Sequence, residues 1–424
     1  MKISKRYPFA TIMSLWLVAL SCWQCDNIQN TTPKGLSADD VIAMTVSISE
    51  EKPWSERMAL SIMKRAPEAW MNDFATRPRW NYTQGLVLSS IMDVAAASKE
   101  DYYFEYAKGY GDTMILADGS IRDYDIFKFN IDHIAPGPLI FKLYEKTGDK
   151  RYQTAIDQLQ QQLNWQPRTT EGGYWHKLRY PWQIWLDGLF MGEPFQARYA
   201  KENNQPEIFD HIAQQFILAE KHTKDATTGL LYHGWDESRL QQWANPETGC
   251  SPHFWARAIG WYCMGLVDVL EYFPQDHPER KTLIAILNRT LEAVLKVRDP
   301  QTNTWWQVIN YPDREGNYLE STSSCMFTYA MLKGANEGYL DEKYLTLGTE
   351  SYEGILKTFI RIDDDGEIHL TSGCAVAGLG GDPYRDGSYE YYIGEPVRDN
   401  DPKGIGPFMK ASLEKEKAKS TSKM

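Results

Sequence analysis

From about Asp39 to Lys357 the apolar residues recur at i, i+3, i+4 and i+7, the spacing that lays one apolar stripe along an α-helix. The segments that carry it include SERMALSIMKRAP, QGLVLSSIMDVAAAS, PGPLIFKLYEKTG, YQTAIDQLQQQL, PEIFDHIAQQFILAEKHT, FWARAIGWYCMGLVDVLEYF, LIAILNRTLEAVLKV, SSCMFTYAMLKGANEG and KYLTLGTESYEGILKTFI. Gly, Pro and Asp fall between them, as turn residues do. Alternating strand patterns are scarce, and EIHLTSG near the end is one candidate. Leu143 to Ile156 echoes Ala335 to Gly348: a helix end, a Gly or Asp turn, then Tyr opening the next helix. Repeated helical hairpins stack into a solenoid or close into a ring. Long aromatic and Gly-rich loops between them favour a closed α/α barrel, with the loops converging on one mouth, over an irregular all-α domain.

The pattern is different at the start. MKISKRYPFA is basic, and TIMSLWLVAL is apolar but too short to span a bilayer. With the following ALSC it predicts a signal peptide over 1–22, of the lipoprotein type in which Cys22 is lipidated; Ala19 stands where such signals usually carry Leu, and plain secretion with cleavage nearby is the alternative. A polar tether is expected over 23–38, one catalytic domain over 39–410 and a charged flexible tail over 411–424. The chain is thus expected to be exported, as a periplasmic or membrane-anchored lipoprotein of a bacterium. No later stretch is apolar for long enough to make a membrane helix, so membrane contact is expected only through the N-terminal lipid.

Composition narrows the partners. The formal charge of −12 over 424 residues argues against nucleic acid, whose phosphates need a basic footprint. A small anion remains compatible, because it answers to local cations rather than to net charge. Cys22 and Cys25 belong to the leader region; Cys250, Cys263, Cys325 and Cys374 lack the paired spacing of a zinc site and read as buried small hydrophobes, with one disulfide open in an exported protein. The aromatic share is high, 13% with 15 Trp and 25 Tyr, which suits sugar stacking but equally suits core filling.

YPWQIWLDGLFMGEP reads as a helix opening near Pro181 and stopped by Pro194, apolar nearly all round, with Asp187 in its middle. Burial disfavours a charged carboxylate, so an acid there is suited to donating a proton. Capping a loop or pairing with an arginine is the bland alternative. Asp132, in NIDHIAPGP, falls in a loop just before a helix starting near Pro136. His176, Lys177 and Trp185 share one stretch with Asp187; LLYHGWDES supplies His233, and SPHFWARAIGWY supplies Arg257 and Trp261 one helical turn apart. Cations beside indoles make a pocket for an anionic sugar, although each residue also has an ordinary packing or pairing role open to it.

The run GGYWHK…YPWQIWLDGLFMGEPF, with NIDHIAPG, LLYHGWDES, SPHFWARAIGWY, GNYLESTSSCMF and RDGSYEYYIGEPVRDNDPKGIGPF, resembles glycoside hydrolase family 105, the unsaturated rhamnogalacturonyl hydrolases. The resemblance implies an (α/α)6 barrel without a metal cofactor. It implies that Asp187 is the catalytic acid and Asp132 the second essential carboxylate, contacting sugar hydroxyls. His176, Lys177, Trp185, Met191, His233, Arg257 and Trp261 match its substrate-pocket positions, and Tyr82 matches an aromatic of the pocket wall. The Gly-rich stretch from Gly378 to Gly387 departs from nothing essential in that pattern, and the resemblance assigns it no particular role. The implied substrate is an oligosaccharide ending in a 4,5-unsaturated uronic acid, attacked by hydration of its double bond. The sister family 88, acting on glucuronyl fragments of glycosaminoglycans, is the nearest alternative; ulvan fragments are another, and a glycan-binding lipoprotein without turnover is a third.

Overall fold

The computed structural model describes residues 47–421, with side chains to 417. The expected signal peptide, the lipidation site at Cys22 and the tether over 23–38 lie outside the described residues. In chain order the main helices are α1 (Trp54–Arg65), α2 (Tyr82–Ser98), α3 (Asp101–Met114), α4 (Gly137–Thr147), α5 (Lys150–Trp165), α6 (Leu186–Glu202), α7 (Glu207–Thr223), α8 (Ala256–Leu270), α9 (Arg280–Leu295), α10 (Ser321–Asn336), α11 (Lys343–Phe359), a short α12 (Tyr389–Gly394) and α13 (Pro402–Thr421). Short strands β1 (Gln183–Trp185), β2 (Gly234–Asp236), β3 (Ile360–Ile362), β4 (Ile368–Leu370), β5 (Gly373–Cys374) and β6 (Val397–Arg398) pair antiparallel as β1–β2, β3–β4 and β5–β6. The strand expected in EIHLTSG is β4.

Burial sorts the helices into two layers. Every residue of α8 is buried and α10 is buried from Ser321 to Gly334, whereas α5 and α11 bury one stripe each. A helix apolar on all sides needs neighbours on all sides. Accordingly α2 packs on α4, α4 on α6, α6 on α8, α8 on α10, α10 on α13, and α13 returns to α2. Outside that ring, α3, α5, α7, α9 and α11 each pack on the inner helix preceding them, and α1 packs on α13. This is the expected (α/α)6 barrel, with its sixth hairpin assembled from the two ends of the domain.

That closure corrects the charged flexible tail expected over 411–424 as far as residue 421; residues 422–424 lie outside the described residues. Helix α13 runs to Thr421, and Ala411, Ser412, Leu413 and Glu414 are buried. Glu414, a charge of that stretch, is buried and accepts from Asn336 Nδ2 at 2.8 Å, with the exposed Lys417 paired to its other oxygen.

The two ends of the barrel differ. Tight turns close one end: Gly148, at φ 68°, terminates α4, and the Asp149 side chain caps α5 by accepting from Arg151 N. The second copy of the sequence echo is the matching turn between α10 and α11. At the other end the connections are long (115–136, 166–185, 224–255, 296–320 and 360–401), and they lead into the N-termini of the inner helices. A cavity of about 760 Å³ opens at the tight-turn end, lined by Asp93, Lys142, Asp268, Lys333 and Lys410 among others. Its charges pair with one another, Lys142 with Asp93 and Lys333 with Asp268.

Candidate active site

The long-loop end gathers four of the candidate residues at inner-helix N-termini: Tyr82 opens α2, Asp132 precedes α4, Asp187 lies in the first turn of α6, and Arg257 is the second residue of α8. Helix N-termini carry unpaired N–H groups and partial positive charge, so the ring of six favours an anion.

Backbone pairing sets the register of the loops. Ile131 N donates to His176 O at 3.2 Å, and His176 N donates to Gln183 O at 2.9 Å. In the β1–β2 ladder Trp185 faces Gly234, and Leu186 N donates to His233 O at 3.1 Å. Asp187 and His233 therefore leave the same end of one ladder. Their side chains meet, His233 Nε2 lying 3.4 Å from Asp187 Oδ2, a loose contact of the kind that tightens around a bound substrate.

Asp187 is placed differently from the sequence expectation. Its helix begins at Leu186 rather than near Pro181, so the acid sits in the first turn and not in mid-helix. Pro194 does not end α6; it lies inside it. A proline forfeits one helical hydrogen bond, and here Leu189, Phe195 and Ala197, all buried on either side of it, hold the helix through the defect. Trp182, expected on the helix, precedes β1 at φ 64° and is 39% exposed. Asp187 Oδ2 is buried without a close hydrogen-bond partner.

Asp132 is held by a lysine and a histidine: Lys177 Nζ donates to Oδ2 at 2.5 Å, and His176 Nε2 lies 3.3 Å from Oδ1. Burial pushes this carboxyl up, but Lys177 and His176 outweigh it and hold it well below the usual carboxylate range. Asp132 is thus charge-compensated. His176 is fixed by stacking on Trp185, with centroids 4.5 Å apart, and Trp185 is covered on its other side by Tyr180 at 4.8 Å. Trp185 therefore braces His176 instead of offering a free face to a sugar. Gly188 makes room for this: a Cβ there would stand 3.1 Å from His176 Nδ1.

Below them Trp261 meets Tyr82 edge-on at 6.4 Å and Phe190 at 4.7 Å, closing the site from the cavity that Phe190 faces. Met191, 2% exposed, belongs to the core cluster. Arg257 is 1% exposed, donates to Cys374 O and to Thr322 Oγ1 at 3.3 Å, and lies over Trp255. Tyr82 lies within the electrostatic reach of both Arg257 and Asp132. Burial raises its hydroxyl's pKa most, Asp132 raises it further and Arg257 opposes them, so the three groups share one field.

Four residues that sequence reading passed over belong to the same region. Glu320 caps α10, accepting from Ser323 N at 2.8 Å, and also accepts from Cys374 N at 2.9 Å. Its position before STSS was the legible signal of a cap. Arg385 donates to Tyr180 Oη at 2.8 Å and lies over Trp185, wrapped by the Gly-rich stretch. Tyr392 meets His233 Nδ1 at 2.8 Å. Glu193 is buried on α6, and burial holds its carboxyl well above the usual range. The four cysteines of the domain are buried and unpaired. Among the described residues no three His, Cys, Asp or Glu side chains group as a metal site, and no helix is long and apolar enough to cross a membrane.

The profile of Glycosyl Hydrolase Family 88 matches residues 54–419. A solved family 105 glycoside hydrolase of C. acetobutylicum ATCC 824 is 45% identical, with a TM-score of 0.83, over 86% of this chain and 100% of that one. Protein Atu3128 of Agrobacterium fabrum is 41% identical over 53% of this chain and 97% of its own length. The unsaturated rhamnogalacturonyl hydrolase YesR of Bacillus subtilis is 25% identical over 76% of this chain and 87% of its own length. With the barrel and the clustered acids at its mouth, these matches make the chain a member of the glycoside hydrolase family 88/105 group and an unsaturated uronyl hydrolase.

Proposed function

We propose that the substrate is an oligosaccharide whose non-reducing end is a 4,5-unsaturated galacturonic acid linked to rhamnose, and that Asp187 is the proton donor. The meeting of Asp187 with His233, beside an Asp132 already neutralised by Lys177 and His176, carries this reading. One acid then has a buried imidazole beside it to stabilise its carboxylate, while the other is held ionised and suited to accepting hydrogen bonds from sugar hydroxyls. The likeness to an unsaturated rhamnogalacturonyl hydrolase supports the choice of uronide.

In this mechanism Asp187, in its acid form, protonates C4 of the enol ether, and positive charge develops at C5 and the ring oxygen. The resulting carboxylate takes a proton from water as the water oxygen bonds to C5. The hemiketal opens to the C5 ketone, and the hemiacetal thereby exposed at C1 collapses, releasing the leaving sugar and an open-chain keto-uronate. The helix N-termini, Lys177 and Arg257 favour the uronate carboxylate despite the chain's net negative charge.

Following the ultraviolet absorbance of the C4=C5 bond on lyase-digested rhamnogalacturonan, ulvan and glycosaminoglycan tests both parts. Loss on rhamnogalacturonan fragments by the wild type, abolished in Asp187→Asn, is expected. Loss only on glucuronyl fragments would move the assignment to those substrates, and an active Asp187→Asn would remove Asp187 as the donor. The leader over 1–22 supports a second proposal, export with lipid attachment at Cys22. Metabolic labelling with a fatty acid is expected to mark the wild type and not Cys22→Ser; equal labelling of both, or of neither, would overturn it.

A further inference from the structure

The Gly-rich stretch from Gly378 to Gly387 leads into α12, and α12 delivers one buried side chain to the site. Tyr392 is 0% exposed. Its ring lies parallel to Trp255, with centroids 6.0 Å apart, and its carbonyl accepts from Gln307 Nε2 at 3.1 Å. Gln307 Oε1 in turn accepts from Trp255 Nε1 at 3.1 Å, so one glutamine braces both rings. On the far side His233 is 0% exposed, enclosed by Trp255, Trp185 and Tyr392.

Hydrogen-bond accounting in this enclosure fixes a proton. The hydroxyl of Tyr392 has one close polar neighbour among the described residues, His233 Nδ1 at 2.8 Å. A buried hydroxyl proton needs an acceptor, and Nδ1 supplies one only as a bare lone pair. Burial holds the His233 imidazole below the usual histidine range, with Asp187 opposing that shift, so the ring is the neutral form that carries one hydrogen. That hydrogen must then sit on Nε2, the nitrogen 3.4 Å from Asp187 Oδ2. The opposite tautomer would leave the tyrosine proton without an acceptor.

We propose that Tyr392 is a positioning residue that sets the tautomer of His233: its hydroxyl donates to Nδ1, and Nε2–H is thereby presented to Asp187. The inference rests on the reading of Asp187 as the proton donor. Its consequence is a division of labour between the two oxygens of that acid. Oδ2, 3.4 Å from Nε2 and without a close partner of its own, takes the hydrogen bond from His233 as the contact tightens around substrate, and Oδ1 carries the proton that leaves for C4 and returns from water. When Asp187 loses its proton, the waiting Nε2–H stabilises the new negative charge without any group having to move. Four groups act on the imidazole: Asp187 from α6, Tyr392 from α12, Arg385 from the loop over 360–401 and His176 from the loop over 166–185.

Two readouts on the full-length protein test this. With ¹⁵N-histidine labelling, long-range ¹H–¹⁵N correlations report the tautomer of His233, assigned by loss of its signals in His233→Asn. The Nε2–H form is expected in the wild type and in Asp187→Asn, and a shift toward Nδ1–H in Tyr392→Phe. In turnover, Tyr392→Phe should lower kcat about tenfold at unchanged KM, a fraction of the roughly 10²–10⁴ that a general acid contributes, and should displace the pH–rate profile. A wild-type Nδ1–H form, or a Tyr392→Phe enzyme with the same tautomer and kcat, would overturn the proposal. A merely structural tyrosine would change thermal stability and leave tautomer and pH profile alone. Should Tyr392→Phe fail to fold, difluorotyrosine at position 392 keeps the shape while strengthening the donor; an unmoved His233 signal there would equally overturn it. An active Asp187→Asn with the expected tautomer would instead refute the donor assignment.

Discussion

Asp132 is held ionised by the cation opposite it. Replacing Lys177 with Met removes the strongest influence opposing the effect of burial on that carboxyl, so its pKa must rise. The acid limb of kcat/KM against pH should move to higher pH in Lys177→Met, with activity lost under acidic conditions that the wild type tolerates. An unmoved limb would mean that Asp132 is not held by Lys177. The residues that surround this pair were legible in sequence because they sit in short dense runs: Asp132 in NIDHI, His176 and Lys177 in YWHK, Asp187 in WLDG. Tyr392 was not, because its partner His233 lies 159 residues earlier and nothing local marks the tyrosine that turns toward it. The role of Trp185 was misread for a related reason: sequence shows an indole beside a histidine, but not that His176 and Tyr180 cover its two faces.

At the scale of elements, the helix starts and the loop ladders do the aiming. Helix periodicity alone extended α6 back to Pro181, since Trp182, Ile184 and Trp185 satisfy an apolar helical stripe as well as a buried strand. What decides for β1 is its partner β2, from a loop about fifty residues later, which no local pattern announces. Gly188 and Gly192, one turn apart on α6, let the loop before α4 come close, with Ile131 Cδ1 3.0 Å from a Cβ built at Gly192. In Gly188→Ala the new methyl at 3.1 Å from His176 Nδ1 must push that ring by a few tenths of an ångström. Activity should fall about tenfold, because small misplacements of site groups are costly, while the thermal midpoint barely moves. Gly354→Ala supplies the contrast. Its Cβ would overlap the Thr302 carbonyl oxygen, away from the acids, so the expected result is a lowered midpoint with kcat preserved in the folded fraction. If both variants behaved alike, the separation between aiming and packing glycines would be wrong.

At the scale of the molecule, closure of the barrel by α1 and α13 is what sequence concealed, because charges inside a barrel look like charges on a tail. Buried titratable groups elsewhere in the barrel govern how the fold responds to acid. Five of the eight histidines, His133, His211, His222, His233 and His253, are held below the usual histidine range, burial being the largest cause in each. For His211 the value is pushed down to about 3, and it accepts from Arg168 Nη1 at 2.9 Å, a contact open only to the neutral ring. Below about pH 6.5 the unfolded chain binds protons that these rings refuse, so ν_U exceeds ν_N and stability falls as pH falls. The carboxyls Asp93, Asp132, Asp268 and Asp401 are also depressed, each because paired cations outweigh burial. Their contribution is complete above the usual carboxylate value near 3.9 and disappears as pH drops through the lower folded values. Acid should therefore act in two stages, the histidines first and the carboxylates later. Urea unfolding is expected to show a midpoint that declines between pH 7 and 5 at constant slope, then declines more steeply below about pH 4. His211→Gln should flatten the first stage relative to the wild type, since glutamine keeps a hydrogen-bonding group but has no proton to take up. A midpoint that stays level from pH 7 to 5 would show that these histidines bind their protons in the folded barrel.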